Sequence, residues 1–140
     1  VASKREQVVE AVVAACQSIP LVRVERNRDR PTKIPPEGLI VVRDGDVGEP
    51  EVLLSPLSYT WTHGVVVELF TQSGDRDGHL DDMLAALQAA LDAVPTLGGL
   101  VDYMQAGGPE FDKADPEGGA DLKAATVVVR LTYETATPLS

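Results

Sequence analysis

The sequence predicts an α+β fold, a mostly antiparallel or mixed sheet with two main helices packed on one face. Three observations predict it. Two segments carry apolar residues at helical spacing, two long runs alternate apolar with polar residues, and the order along the chain is helix, strands, helix, strands. With 140 residues and no internal repeat, the chain suits one domain spanning positions 1–140, able to bury roughly two thirds of its surface without metal or disulfide staples.

The first helix opens at Ser3-Lys4-Arg5-Glu6, a capping-box pattern in which Ser3 accepts from an early helix N–H and Glu6 reaches back. Val8, Val9, Val12, Val13, Cys16 and Ile19 follow at helical spacing, and Pro20 stops the helix. Leu21 to Glu25 reads as a short strand. Leu39 to Arg43 is an apolar, largely β-branched run and a second strand. Asp44-Gly45 marks a turn, after which Glu51 to Leu54 returns as a partner strand. Tyr59 to Phe70 is a long strand. Its core face is Tyr59, Trp61, His63, Val65, Val67 and Leu69, and Gly64 marks a bulge or bend.

After a break at Asp75 to Gly78, the second helix carries Leu80, Met83, Leu84, Leu87 and Leu91, with Asp81 and Asp82 in its first turn. Pro95 ends it. Val101 to Gln105 is a further short strand, and Ala106 to Gly119 is a polar loop rich in Gly, Pro and Asp. The last strand runs from Ala124 to Thr135. Val127, Val129, Leu131 and Tyr133 face one side; Thr126, Val128, Arg130, Thr132 and Glu134 face the other, solvated or meeting a partner.

Tests for chemistry find little. The lone Cys16 excludes an internal disulfide and suits a buried structural thiol. His63 and His79 form no metal-ligand pattern with cysteines. His63 reads as a half-buried packing residue and His79 as a solvated one at a helix start. Asp75-Arg76-Asp77-Gly78 lacks the offsets of a calcium loop, and a capped, acidic helix start explains these aspartates. Gly98-Gly99 and Gly107-Gly108 fit no phosphate-cradle motif, and no serine sits in a nucleophile elbow. The expectation is a protein with no cofactor, no metal and no catalytic turnover. No apolar run reaches the roughly 18 residues needed to span a bilayer, and no basic-then-apolar leader opens the chain. A soluble protein made in a reducing cytoplasm, away from membranes, is expected. The formal net charge of −10 argues against wrapping nucleic acid, which needs a basic face.

One knot of positive charge breaks the acidic chain. Glu25 to Pro31 reads ERNRDRP, and Arg23 to Lys33 carries a local balance of +3 against −13 for the rest. The pattern places the knot on a loop. Arg26, Arg28 and Arg30, one residue apart, would project to one side of an extended stretch, with Asn27 and Asp29 on the other. Composition leaves two readings level: a solvated loop whose arginines pair with nearby carboxylates, or a loop that meets a partner.

The succession of segments carries a resemblance. A short amphipathic helix is followed by Glu25-Arg26-Asn27-Arg28-Asp29-Arg30-Pro31 and Leu39-Ile40-Val41-Val42-Arg43-Asp44-Gly45. Then come the leucine-striped helix, Thr96-Leu97-Gly98-Gly99-Leu100-Val101-Asp102, and Leu131-Thr132-Tyr133-Glu134-Thr135. In order and spacing this resembles the tail terminator proteins of long-tailed phages and gene transfer agents. The resemblance implies a virion protein assembled in a bacterial cytoplasm. Its subunits would close into a homohexameric ring on the head-proximal end of the tail tube. That ring would end tube growth and present the head-tail joining surface. Its implied partners are its own copies, the tail tube protein and a head-tail connector or head completion protein, with DNA passing through unbound. The interface candidates are Arg26, Arg28, Arg30, Arg43 and Asp44. The alternative class is a small-molecule or peptide-binding α+β regulatory module. A third reading is an enzyme built around Tyr59, His63 and nearby carboxylates.

Overall fold

A computed structural model describes residues 2–29, 33–72, 74–111 and 122–140. Among them, two helices pack on one face of a seven-stranded, mostly antiparallel sheet with one parallel pair. Helix α1 spans Lys4–Gln17 and its Ser3 Oγ accepts from Glu6 N at 3.2 Å. Only this half of the expected capping box forms, because the Glu6 carboxylate is drawn to Arg26 instead. Helix α2 spans Arg76–Asp92, three residues ahead of the expected start, because Asp75 acts as N-cap and accepts from Gly78 N.

The strands are β1 (Arg23–Arg26), β2 (Leu39–Asp46), β3 (Glu51–Leu54), β4 (Leu57–Gln72), β5 (Tyr103–Ala106), β6 (Glu110–Phe111) and β7 (Leu122–Thr135). The main path through the sheet is β1-β2-β4-β7-β5. Its spine is the antiparallel pair β4 and β7, in continuous register from Tyr59↔Thr135 to Gln72↔Leu122. β1 lies parallel to β2.

Three expectations about the strands are corrected. Asp44-Gly45 is not a turn: β2 runs on to Asp46 through a bulge, with Arg43 opposite Val66 and Asp46 opposite Gly64. Gly45 has φ 71°, and a Cβ there would lie 1.8 Å from the Gly64 carbonyl oxygen, so glycine is required. Next, β3 pairs with β4, not β2, around the turn at Ser55-Pro56. From Asp46↔Gly64 to Glu51↔Thr60 there are five steps on one side and four on the other, so β2 and β3 form one interrupted arm of a long hairpin. Last, the expected loop from Ala106 contains β6. From Ala106↔Val129 to Glu110↔Thr126 there are four steps against three, so β5 and β6 are one edge strand with a bulge. Positions 112–119 of that loop lie outside the described residues.

The core sits between helices and sheet. Val8, Val9, Val12 and Cys16 of α1 and Leu80, Met83, Leu87 and Leu91 of α2 cover Ile40, Val42, Val65, Val67, Leu69, Val127, Val129, Leu131 and Tyr133. The alternation expected along β4 and β7 therefore holds. On the opposite face Ile34, Leu39, Val41, Phe70 and Ala124 form a small second cluster. The rest of that face, including Val66, Thr126, Val128 and Thr132, is half-buried with no helix upon it among the described residues.

Candidate functional site

Of the interface candidates, Arg26 and Asp44 meet at one corner of the sheet, in a different arrangement from the expected one. Arg26 is not on a loop. It is the last residue of β1, and its side chain crosses to α1 and to the bulge of β2. Its Nη1 and Nη2 donate to Glu6 Oε2 and Oε1 at 2.6 and 2.9 Å, a bidentate pair. Its Nε donates to Asp44 Oδ1 at 2.9 Å. The guanidinium holds the Glu6 carboxyl down to about 2, and the two carboxylates together raise the already high pKa of Arg26.

Asn27 follows with φ 53°, a left-handed conformation that asparagine tolerates better than most residues. Its Nδ2 donates to Asp44 Oδ1 at 3.1 Å and its Oδ1 accepts from Asp44 N at 3.2 Å. Extended geometry ends here, so Arg26 and Arg28 do not lie in the expected row on one side. Arg28 donates to Glu25 Oε2 at 2.5 Å, and Arg23 also pairs with Glu25. Arg30 lies outside the described residues. Arg43 points to the helix-free face, where its Nε meets Glu68 Oε1 at 2.5 Å. Arg26 and Asp44 are thus brought together, while Arg28 and Arg43 pair elsewhere.

Beneath this corner lies a group that sequence reasoning placed only in part. His63 is fully buried, not half-buried. Its Nε2 lies 2.6 Å from the Asp44 carbonyl oxygen and its Nδ1 lies 3.1 Å from Tyr133 Oη. A carbonyl can only accept, so Nε2 carries the proton and Nδ1 accepts from the Tyr133 hydroxyl. Burial pushes the His63 pKa down and the Tyr133 pKa up. A neutral His63 thereby fixes the bulge backbone whose Asp44 carboxylate holds Arg26 and Asn27. Alternation along β4 was the signal for its burial; its partners come from β2 and β7.

His79 is half-buried rather than solvated. Its Nε2 donates to the Glu37 carbonyl at 3.2 Å beside the Gly38 turn. Cys16 is buried, which pushes its thiol up to about 12. No group of three or more His, Cys, Asp or Glu is gathered to hold a metal ion among the described residues. No helix among them is long and apolar enough to cross a membrane. An apolar groove of about 380 Å³ runs between α1 and α2, lined by Ala11, Ala15, Ala93, Val94 and Leu97 among others.

Fold and site define a two-layer α+β protein with a charge-compensated corner and, among the described residues, one sheet face bare of helices. No family model and no curated protein matches the chain. Among solved structures, a chain of the "Virion of native gene transfer agent (GTA) particle" is similar, at 15% identity over 94% of this chain and 92% of that chain, with a TM-score of 0.46.

Proposed function

We propose that the chain is a structural virion protein of a phage-like particle, a tail terminator that acts without catalytic turnover. Six copies close into a ring on the head-proximal end of the tail tube, stop its growth and offer the surface that joins the head. The order of sequence segments motivates this reading. The observation that carries it is the bare face of the β4–β7 spine. Its half-buried Val66, Thr126, Val128 and Thr132 sit in two of the longest strands of the sheet, on the side away from both helices. A long sheet face left half-covered is a surface suited to association.

The partners in this reading are further copies, the tail tube protein and a head-side connector, and DNA passes the acidic subunits without binding. The test is particle mass and negative-stain imaging of the purified protein, alone at raised concentration and mixed with tail tubes. Six-membered rings or capped tubes are expected. A strict monomer in solution and on tube ends refutes the proposal. A monomer that instead binds an apolar small molecule in the groove between α1 and α2 favours the alternative of a binding module.

A further inference from the structure

The tip of the long hairpin is an exposed apolar knob. Val52, Leu53, Leu54 and Leu57 are 46, 48, 82 and 53% exposed. Leu54 and Leu57 face each other across the turn, and among the described residues β3 is paired only to β4. From Val52 to Val67 there is no Asp, Glu, Lys or Arg, in a chain of net charge −10. Leucine side chains held out in water on a two-stranded arm cost free energy unless a partner covers them.

Copies of so acidic a chain repel one another, so a contact between them is favoured where both surfaces are uncharged. The chain carries a second uncharged apolar feature of the opposite shape. The groove between α1 and α2 is bordered by Ala11, Ala15, Ala90, Ala93, Val94 and Leu97, and none of its lining residues is charged. Its volume, about 380 Å³, lies in the range of roughly 300–1,000 Å³ that takes a small apolar ligand. Knob and groove belong to different elements: the turn between β3 and β4, and the C-terminal halves of the two helices. Two unlike, mutually complementary patches on one subunit make a head-to-tail contact, the kind that closes rings.

We infer that the β3–β4 hairpin tip of one copy docks, through Leu54 and Leu57, into the α1–α2 groove of the next copy. This rests on the self-association proposed above and names the surfaces that make it. Leu54 and Ala93 are both exposed, so Leu54→Glu and Ala93→Glu leave the monomer folded, checked by a wild-type far-UV circular dichroism spectrum and a cooperative melt. Copy number is read by mass photometry for wild type, each variant, and an equimolar mixture of the two variants. Where wild type associates only on tubes, the four samples are read there by tail length and copies per tube end.

Each variant alone is expected to stay monomeric. The mixture is expected to give one-to-one dimers and nothing larger, because only the intact tip of the Ala93→Glu copy and the intact groove of the Leu54→Glu copy remain to meet. Rings of normal size from Ala93→Glu, or a mixture that stays monomeric, overturn the docking and leave the ring proposal standing. Wild type that associates neither in solution nor on tubes overturns both.

Discussion

Replacing Val127 by Asp puts a carboxylate where β7 meets α2. Val127 is 4% exposed, opposite Val67 on β4 and close to Leu84 and Leu87. Losing the buried valine costs about 1.5–3 kcal/mol. The apolar cluster around it supplies no cation to pair with a carboxylate, so the new group is buried as the neutral acid. Protonating at pH 7 a group whose usual pKa is about 3.9 costs roughly 4 kcal/mol. The total, roughly 6–7 kcal/mol, is comparable to the whole stability of a domain at the lower end of the usual 5–15 kcal/mol. Thr132→Asp is the paired perturbation. Thr132 lies on the bare face between Thr62 and Tyr103, where a charge remains hydrated and costs about 1 kcal/mol or less. In thermal melts by circular dichroism, Val127→Asp is expected to lower Tm by roughly 15 °C or more, or to abolish the transition, and Thr132→Asp by a few degrees at most. The folded pKa of the introduced carboxyl at position 127 is raised, so its deficit relative to wild type shrinks as pH falls towards 5. Val127→Asn shows no such pH dependence. Thr132→Asp is further expected to fold yet to cap tail tubes poorly, since it charges the sheet face on which assembly is proposed. Equal Tm losses for the two variants would refute the assigned register of β7.

Three further outcomes are expected. Arg26→Gln lowers Tm more than Arg28→Gln, because Arg26 ties α1, β1 and β2 together while Arg28 meets only a near neighbour. Acid melts carry a second check: Glu6, held down to about 2, contributes stability that is present above its ordinary value of 4.5 and is lost as pH falls through about 2, and Arg26→Gln removes that dependence. His63 is neutral in the fold and its pKa is lowered, so the unfolded chain takes up the proton first. Stability falls as pH drops below about 6.5, by at most about 1.4 kcal/mol per pH unit, and a His63→Gln variant that keeps the same slope between pH 6.5 and 5 contradicts this. Cys16 resists a thiol reagent in the native protein and reacts only on unfolding; rapid native labelling would show that α1 is not seated on the core.

The elements were legible wherever one face of a segment is buried. The spacing of Leu80, Met83, Leu87 and Leu91 and the alternation along β4 and β7 record burial directly, because helix and strand periods turn side chains towards a single core. What stayed hidden depends on residues far apart in the chain. Nothing within Arg23–Arg26 states that it pairs with β2 in parallel, and nothing within Glu51–Leu54 chooses β4 over β2. The bulge at Gly45 looked like a turn because its meaning lies in the Gly64 carbonyl facing it.

The basic knot misleads for the same reason. A local balance of +3 counts charge along the chain, whereas the partners that neutralise Arg26 stand 20 residues before it, at Glu6, and 18 after it, at Asp44. Arg23 and Arg28 pair with Glu25 inside the same segment. Three arginines are thus matched to three carboxylates within one chain, and drawing any of them into a contact with another copy would first break an existing ion pair. Uncharged surface asks for no such exchange: a leucine brought from water into an apolar groove gains by area alone. On an acidic chain whose described arginines at that corner are already paired, the proposed contact between copies is therefore expected to run through the hairpin tip and the helix groove, leaving the bare sheet face to the other partners. The paired corner then acts as a brace that keeps α1, one wall of that groove, fixed against β1 and β2.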